Sequence, residues 1–334
     1  MSHSNSSLNC FANCMAKYEH NYILHTKPDK PLSPHLTFGV MAHDTLYKAG
    51  RLRDDNRDKV INKDEYFSII PSEVLYGDLK EEFNILNWEQ YFVPIIKKTA
   101  EYENKLVNEM IKEYGTAQIE REIKLSISPE QLLEDYKIVV NQPLVGIIDC
   151  LIYNDKSAII LDYKFSSKKK TQDDFDMNSQ LPLYAYLVNK TYGIQIHNIK
   201  YGYIDIPKQM FDKPTLLNNG TLSRSKSQNV SQDMYKKSVI AIHGDDDYYN
   251  CELGGYYYEC YCNLALNQVA YLSMQYLDEE VYENILNDLF ITAQMIDYFK
   301  KNNLTFLRKY DSYSCKGCEY LSSCKKWLGM NKGE

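Results

Sequence analysis

The spacing of hydrophobic residues changes along the chain from helical to strand-like and back to helical. Helical spacing predicts helices over residues 6–24, about 36–49, most of 78–113, 179–190 and from about 256 to 302. Runs of branched apolar residues between turn formers predict strands over residues 117–127, 143–153, 158–164 and 194–205. The first three strands are consecutive, so we expect them to be antiparallel. Residues 206–255 show neither spacing, and the whole pattern is typical of an α/β protein.

Composition narrows the class of protein. The chain has 334 residues, of which 44% are hydrophobic and 25% charged, enough for one elaborated domain or two modest ones. The sequence has no secretory signal and no membrane-spanning apolar stretch, so we expect a cytoplasmic protein with no membrane partner. The net charge of -7 argues against indiscriminate coating of nucleic acid. Local basic patches would be needed, such as Lys164, Lys168, Lys169 and Lys170, although a lysine run is more often a solvated loop.

Two aspartates interrupt the apolar strands of a predicted hairpin. Residues 154–157 are turn formers, and a symmetric turn centred between residues 155 and 156 would place Asp149 opposite Asp162. Their Cβ atoms would then lie about 5 Å apart, where two negative charges repel each other unless a cation neutralises them. A divalent cation would do so. In the alternative interpretation, each aspartate only bonds to nearby backbone.

Lys164 adds a positive charge beside these carboxylates. It lies two residues after Asp162, so strand alternation puts both side chains on the same face. Carboxylates hold a hard cation such as Mg²⁺, which polarises a phosphoryl oxygen, and an ammonium group stabilises charge that develops on the phosphate. Two acids and a lysine on one face therefore predict metal-assisted phosphodiester hydrolysis.

A histidine on the second predicted helix is a further candidate ligand. His43 lies three residues from both Val40 and Leu46, so it should point to the apolar side of its helix. Gly39, one turn earlier, would permit a close approach of the backbone. A lone histidine in such a place is more often a core residue with satisfied hydrogen bonds than a ligand.

A polar pair lies on the helix that follows the hairpin. Gln180 and Tyr184 are four residues apart and hence share one helix face. Pro182 is tolerated in the first turn if Ser179 caps the helix. The pair would be able to orient Lys164, a water molecule or a phosphate, but taken alone it describes an ordinary amphipathic helix.

Nine cysteines in a chain without an export signal favour metal binding over a disulfide framework. Cys315, Cys318 and Cys324 have the spacing C-x2-C-x5-C, and Cys14 lies in the first predicted helix, for which Ser6 or Ser7 is the expected cap. Four thiolates suffice for one iron-sulfur cluster or one structural zinc, and the spacing does not distinguish the two. Either centre would clamp the two chain ends together.

Four short motifs follow one another in a characteristic order. They are G-x3-H (Gly39 to His43), G-x2-D (Gly146 to Asp149), D-x-K (Asp162 to Lys164) and Q-x3-Y (Gln180 to Tyr184). In this order the chain resembles the PD-(D/E)XK nucleases of the RecB type. With the flanking cysteines it resembles their iron-sulfur branch, which includes the AddB nuclease domain and the CRISPR-associated exonucleases of the Cas-four kind. The resemblance extends from Cys14 to Cys324.

The resemblance implies a fold and a set of roles. The fold is an α/β restriction-endonuclease-like core, a mixed central sheet flanked by helices, with helical elaborations. The ligands of Mg²⁺ or Mn²⁺ would be His43, Asp149 and Asp162. The residues that act on the water, the metal or the DNA would be Lys164, Gln180 and Tyr184. An acidic residue on the first core strand, Glu120 or Glu122, would be a supporting group or only a surface charge.

The resemblance also assigns the cysteines. Cys14, Cys315, Cys318 and Cys324 would hold a [4Fe-4S] cluster, with structural zinc as the alternative. Where the family usually has proline after its first cluster cysteine, this chain has Met15, and Cys10 lies one helical turn from Cys14 as a rival ligand. The basic and aromatic residues that follow, Lys17 and Tyr18, favour Cys14.

Together these features predict a metal-dependent DNA nuclease, acting as an exonuclease on single strands or duplex ends. The alternatives are a non-catalytic DNA-end-binding subunit of a helicase or integrase complex, and an RNA-processing nuclease. One integrated domain is expected, made of five segments: a cluster-binding helix (1–30), a helical segment with the histidine motif (31–115), the nuclease core (116–205), a variable region (206–310) and a cysteine knuckle (311–334).

Overall fold

A computed structural model shows a mixed α/β protein. It describes residues 2–29, 34–57, 59–71, 85–166, 171–207, 214–225, 228, 230, 232–244, 257–265, 270–276, 278–309 and 311–328. The predicted basic residues Lys168, Lys169 and Lys170 lie outside these described residues, as do residues 78–84 of a predicted helix.

Helices lie between most of the consecutive strands along the chain. The strands are β1 (His3–Ser4), β2 (Gln118–Ile127), β3 (Leu144–Tyr153), β4 (Ala158–Ser166), β5 (Ile199–Pro207) and β6 (Tyr271–Tyr276). The helices before the hairpin are α1 (Asn5–Asn13), α2 (Met15–Tyr18), α3 (Pro34–Arg51), α4 (Lys63–Ile69), α5 (Ile85–Tyr114) and α6 (Pro129–Tyr136). Those after it are α7 (Gln172–Asp176), α8 (Gln180–Tyr192), α9 (Gln232–His243), α10 (Tyr258–Ala265), α11 (Glu279–Lys301), α12 (Ser312–Lys316) and α13 (Leu321–Trp327).

The strands form one mixed sheet in the order β1-β3-β4-β5-β6, with β2 also paired to β3. β3 is antiparallel to β2 and β4, as predicted, whereas β4 and β5 are parallel and are connected through α7 and α8. One edge of β3 is paired with β2 along its whole length. The other edge of β3 is shared by two strands, β1 near Leu144 and β4 near Tyr153. The sheet therefore opens between β3 and β4.

The hairpin has the predicted register. Tyr153 pairs with Ala158 and Cys150 pairs with Leu161, which fits a turn centred between residues 155 and 156. The Asn154 side chain stabilises this turn, because its Oδ1 accepts hydrogen bonds from the backbone N–H groups of residues 156 and 157, at 2.8 and 2.9 Å. Cys150 and Leu161 form the last pair of the β3–β4 ladder, so the strands separate where the two aspartates follow.

Apolar residues cover both faces of the sheet, which explains why the central strands are almost continuously hydrophobic. On β4, Ala158 and Ile160 face a core shared with α1, α8 and α11, while Ile159 and Leu161 face a core shared with α3 and α5. Full burial of one such branched side chain contributes about 1.5–3 kcal/mol. A smaller third cluster joins α9 and α10. None of the helices in the described part of the chain is long and apolar enough to cross a membrane.

The prediction for the first helix is wrong in the extent of the helix and in its N-cap residue. Ser4, not Ser6 or Ser7, is the N-cap of α1, and Ser7 completes a capping box with it. The helix does not run on to residue 24, because Cys14 is extended, with φ −161° and ψ 107°. Directly after this break, the Ala16 N–H donates a hydrogen bond to Leu307 O at 3.1 Å, a tertiary contact that helical spacing does not reveal.

Further elements also differ from the predictions. Residues 256–302 contain a strand, β6, besides helices α10 and α11, because pairing with β5 overrides the local helical spacing. Helix α6 lies between two strands, where no element was expected, and α9 lies within residues 206–255, which had no assignment. The predicted strand 194–205 begins only at Ile199, after a short 3₁₀ turn.

Candidate active site

The candidate site begins where β3 and β4 separate. Beyond the last ladder pair, the backbone N–H of Tyr163 donates a hydrogen bond to Asp149 Oδ2 at 2.8 Å. Asp149 Oδ2 thus accepts a bond that a backbone carbonyl would accept within the ladder. For this oxygen, the alternative interpretation, in which the aspartate bonds to nearby backbone, is confirmed. The other oxygen, Asp149 Oδ1, lies 3.5 Å from His43 Nδ1. Asp149 therefore connects the open edge of β4 to the helix α3.

His43 lies at the border of the apolar face of α3. Leu46 is buried, but Val40 is 67% exposed, so the histidine is not inside the apolar stripe as the spacing suggested. Its ring packs edge-on against Phe165, with 5.3 Å between ring centroids. Burial lowers the pKa of His43, but the hydrogen bond and negative charge of Asp149 outweigh this effect and raise the pKa above its ordinary value. The imidazole is thus held against the Asp149 carboxylate.

Asp162 and Lys164 form a close ion pair on the opposite face of β4 from Tyr163. Lys164 Nζ lies 2.6 Å from Asp162 Oδ2, and the aspartate is only 3% exposed. Burial raises the pKa of Asp162 to about 6, and the negative charge of Asp149 adds to this effect, while Lys164 opposes it. A buried acid of this kind favours a positive partner, because removal from water penalises its charged form.

Gln180 and Tyr184 continue the hydrogen-bond chain from Lys164. Lys164 Nζ donates to Gln180 Oε1 at 3.2 Å, and Gln180 Nε2 donates to Tyr184 OH at 2.7 Å. Ser179 occupies the N-cap position of α8 as expected, but its side chain makes no capping bond. Instead, Asn178 Oδ1 accepts from the backbone N–H groups of residues 180 and 181. The Q-x3-Y motif thus holds the ammonium group from the side of α8.

The two motif glycines differ in their surroundings. A Cβ atom at Gly146 would lie 2.7 Å from Tyr184 Cε1 and 2.6 Å from Leu187 Cδ1, so only glycine lets α8 pack this closely on β3. A Cβ atom at Gly39 would meet no described atom within 4 Å. The close backbone approach predicted at Gly39 is therefore not found among the described residues.

Of the two acidic residues considered on β2, one lies near the site. The register of β2 with β3 pairs residue 121 with 150 and residue 123 with 148, which leaves Glu122 opposite Asp149. Glu122 has a φ of 47°, unusual for a residue with a side chain, and it is exposed. Burial of part of the side chain and the negative charge of Asp149 raise its pKa. Glu120 instead accepts a hydrogen bond from the Tyr153 hydroxyl.

The donor set at the site fits a hard divalent cation. Mg²⁺ needs only one or two protein carboxylates, since waters and substrate phosphates complete its octahedron. Asp149 and Asp162 supply such carboxylates from neighbouring strands. His43 Nδ1 faces one oxygen of Asp149, and Lys164 Nζ faces one oxygen of Asp162. Across the described ranges, no three His, Cys, Asp or Glu side chains are grouped closely enough to hold a metal ion. Ion binding with His43 as a third ligand would therefore require side-chain movement.

The cysteine-bearing chain ends lie against each other. Lys17 Nζ lies 3.1 Å from a carboxylate oxygen of Glu319, and the backbone N–H of Asp29 donates to Glu319 O at 2.7 Å. The Ser322 N–H donates in turn to Asp29 Oδ2 at 2.7 Å. Protein contacts thus bring α1 and α2 next to α12 and α13.

The thiols of this region are near one another but do not converge. Cys14, Cys315, Cys318 and Cys324 are all free and half-buried. Burial raises the pKa of Cys324, Arg308 opposes this, and negative charge on the other three thiols would raise it further. The Cys315 thiol donates to Lys309 O at 3.1 Å, and no three of the described cysteines are grouped closely enough to hold a metal ion. The four thiols fit a metal centre in number and type, although they are not arranged as its ligands.

Cys10 lies in the same neighbourhood. Burial raises its pKa to about 11, and negative charge on Cys14 or Cys318 contributes in the same direction. It is thus a fifth thiol beside the four.

Comparison with known proteins identifies the family. A search of curated proteins found no significant match. A solved structure described as "Putative exonuclease" from Eubacterium rectale is 12% identical, covers 96% of this chain and 87% of its own, and has a TM-score of 0.44. The solved structure of SSO0001 is also 12% identical, covers 85% of this chain and 84% of its own, and has a TM-score of 0.25. The family model of the PD-(D/E)XK nuclease superfamily matches residues 2–325, and the chain therefore belongs to this superfamily.

Proposed function

We propose that this chain is a Mg²⁺- or Mn²⁺-dependent DNA nuclease that acts as an exonuclease on single strands or duplex ends. One observation carries the proposal: Lys164 Nζ contacts Asp162 Oδ2 at 2.6 Å beside a second carboxylate, Asp149. Two acids and an amine at the open end of a β-hairpin are suited to phosphodiester hydrolysis. Membership of a nuclease superfamily supports the same reaction class.

In this proposal, the carboxylates and the histidine hold the metal. Asp149 and Asp162 would be its protein ligands, and His43 would be a third ligand or would orient Asp149. The bound cation would neutralise charge at the phosphoryl group that is attacked. Tyr163 would keep Asp149 in place through its backbone N–H.

Lys164 is proposed to act on the water and the phosphate. Its ammonium group would hold the attacking water and stabilise the negative charge that develops on the phosphoryl oxygens. Gln180 and Tyr184 would fix its position through the chain of hydrogen bonds at 3.2 and 2.7 Å. In the reaction, a bond forms between the water oxygen and phosphorus and the ester bond breaks. One product carries a phosphate, and the other receives a proton on its departing oxygen.

A polyanionic substrate is supported by the distribution of charge. Residues 300–328 contain seven Lys and Arg against two Asp and Glu, although the whole chain has a net charge of -7. Basic side chains on this segment would contact phosphates, and such contacts carry little sequence preference. The choice of DNA, of a single strand and of a free end follows the resemblance to RecB-type exonucleases.

We further propose that Cys14, Cys315, Cys318 and Cys324 hold a [4Fe-4S] cluster. The contacts of Lys17 and Asp29 with the C-terminal segment support a shared site for these thiols. The cluster would act as a structural clamp, since it would join points far apart in the chain. Iron and sulfide determination, with the visible absorption of anaerobically purified protein, tests this proposal against zinc.

The five segments are proposed to form a single nuclease domain. β1, from the first segment, pairs with β3 of the nuclease core, and Leu8 and Phe290 belong to the same hydrophobic core as β3. A common core of this kind supports one folding unit.

The nuclease proposal is tested with end-labelled and circular substrates. Lys164→Ala should reduce Mn²⁺-dependent cleavage of linear single-stranded DNA on the order of 10³-fold, because an interaction with the developing charge is lost. Lys156→Ala is the matched control, since Lys156 is an exposed residue in the turn of the same hairpin. Its activity should equal that of the wild type.

Other outcomes would redirect the proposal. DNA binding without any cleavage would favour the non-catalytic end-binding function, and stronger cleavage of RNA in a competition assay would favour RNA processing. Degradation of circular single-stranded DNA would contradict a requirement for a free end. Retained activity in Lys164→Ala would contradict the proposed role of the amine.

A further inference from the structure

A buried cluster of charges lies directly behind the candidate active site. Glu103 on α5 is 2% exposed, and Arg121 on β2 binds it through two parallel bonds, Nη1 to Oε1 at 3.1 Å and Nη2 to Oε2 at 2.8 Å. Arg53 Nη2 adds a third donor to Glu103 Oε2 at 3.4 Å. Burial alone would raise the pKa of Glu103, but Arg121 and Arg53 lower it below its ordinary value. The carboxylate is therefore ionised and almost fully bonded.

Tyr163 connects this cluster to the candidate metal ligands. Its hydroxyl donates a hydrogen bond to Glu103 Oε1, while its backbone N–H donates to Asp149 Oδ2 at 2.8 Å. Tyr163 also stands between Asp162 and Lys164 in the D-x-K motif. A shift of the Tyr163 backbone would therefore move Asp162 and Lys164, and it would also move the N–H that binds Asp149.

The cluster also reaches the helix that carries the histidine. Arg121 Nε donates to Asp54 Oδ1 at 2.8 Å, and Asp54 follows the end of α3. Within the last turn of α3, a Cβ atom at Gly50 would lie 2.4 Å from Arg121 Cζ, so the guanidinium passes across the helix where only glycine fits. One arginine thus connects α3, β2 and α5.

Stability alone is a weak reason for such a cluster. A buried ion pair loses about as much hydration as it gains in attraction, and apolar residues of similar size often replace it without loss of stability. A bidentate guanidinium–carboxylate pair does, however, fix direction as well as distance. Direction matters most next to a metal site, where outer hydrogen bonds orient the ligands.

We propose that Glu103 and Arg121 are positioning residues which, through Tyr163, hold Asp149 in the orientation that binds the metal. This inference rests on the proposed function in one respect, namely that Asp149 is a metal ligand. Neither residue would touch the metal or the substrate. The cluster would also keep α3 aligned, so that His43 faces Asp149.

Tyr163→Phe is the decisive variant, because it removes only the hydroxyl and leaves the charges of Glu103 and Arg121 paired. Tyr153→Phe is its matched control, since Tyr153 lies on the adjoining strand and also donates its hydroxyl to a glutamate, Glu120. The readouts are the dissociation constant for Mn²⁺ from calorimetry, the Mn²⁺ concentration that gives half-maximal cleavage, and the melting temperature without metal.

We expect Tyr163→Phe to weaken Mn²⁺ binding about 10-fold, as changes to outer hydrogen bonds of metal ligands commonly do. The half-maximal Mn²⁺ concentration should rise equally, while the rate at saturating Mn²⁺ stays close to that of the wild type. Tyr153→Phe should leave Mn²⁺ binding unchanged. If Glu103→Gln folds, the double variant Glu103→Gln/Tyr163→Phe should bind Mn²⁺ no more weakly than whichever single variant has the lower affinity.

Unchanged Mn²⁺ binding in Tyr163→Phe would overturn the inference, and so would equal losses in both tyrosine variants. Failure of the wild type to bind Mn²⁺ would overturn it together with the proposed metal site. A wild type that binds Mn²⁺ but cleaves no nucleic acid would contradict only the proposed function, and the binding data would still decide the role of Glu103 and Arg121.

Discussion

The sheet opening and the cysteine-bearing chain ends are two candidate metal sites that differ in how far the protein alone assembles them. At the opening, Lys164 contacts both Asp162 and Gln180, at 2.6 and 3.2 Å. At the chain ends, the segments contact each other through Lys17 and Glu319, but the four thiols do not group.

The difference follows from what carries the ligands. Asp149 and Asp162 follow the last ladder pair of one hairpin, and contacts with the Tyr163 N–H and with Lys164 hold their side chains before any ion binds. Cys315 and Cys324 lie on the short helices α12 and α13, Cys318 lies between these two helices, and Cys14 lies at the break between α1 and α2. Such ligands commonly converge only when the metal is present, because metal binding and local folding are coupled. The first site should therefore depend on metal for chemistry and the second for stability.

Removal of a carboxylate at the sheet opening should have the largest effect. We expect Asp162→Asn to reduce cleavage on the order of 10³-fold or more, about 4 kcal/mol in the activation free energy, because Lys164 and the cation lose their shared anion. Asp155→Asn, an exposed position in the turn of the same hairpin, is the control and should retain full activity. Single-turnover cleavage at saturating Mn²⁺ measures the effect.

The stability of Asp162→Asn separates chemistry from folding. Asparagine keeps the size of the aspartate, its side-chain oxygen can still accept a hydrogen bond from Lys164, and no charge is left buried, so the variant should unfold at nearly the wild-type denaturant concentration. Loss of activity together with loss of the folded state would show that the Asp162 carboxylate is required for structure as well as for chemistry.

Removal of a cysteine should affect stability more than chemistry. We expect Cys318→Ala to lose bound iron and to lower the free energy of unfolding by about 3 kcal/mol, since a cross-link between distant chain segments is lost. Cys262→Ala, a half-buried thiol on α10, is the control and should keep the iron. Iron content and denaturant unfolding under anaerobic conditions are the measurements.

A stable, iron-free Cys318→Ala protein would contradict the clamp. The contacts between Lys17, Asp29 and the C-terminal segment would then suffice to hold the chain ends. A full complement of zinc in the wild type would instead keep the clamp and replace the iron.

The sequence predicts several relations at the candidate active site because their determinants are local. Turn formers set the hairpin register, strand alternation places Lys164 beside Asp162, and helical spacing brings Gln180 next to Tyr184. All three relations hold in the structure. Each of them depends on residues fewer than about ten positions apart or on one short turn.

Relations between distant residues are not visible in the same way. Glu103 and Arg121 each look like surface charges in the sequence, and only packing of α5 on β2 buries them as a pair. β6 has helical spacing in the sequence and becomes a strand through pairing with β5. The exposure of Val40 likewise depends on which elements cover α3. These features are set by tertiary contacts, which spacing along one chain does not encode.

Substitution of the two motif glycines should have the smallest effects. It tests whether close packing requires glycine at Gly146 but not at Gly39. Gly146→Ala should lower the free energy of unfolding by about 2 kcal/mol, because its methyl group would overlap the Tyr184 ring and Leu187. It should also lower activity, since displacement of Tyr184 disturbs Gln180. Gly39→Ala should instead raise stability by about 0.5–1 kcal/mol, as alanine does in a helix with room for it.

Urea unfolding of both variants, with cleavage rates, decides the matter. Equal destabilisation by both substitutions would mean that α3 also requires glycine for close approach, and the sequence-based interpretation of Gly39 would stand. If Gly146→Ala were as stable and active as the wild type, the packing of α8 on β3 would not hold Gln180. Among the described residues, Asp162 would then be the remaining group that holds the Lys164 ammonium in place.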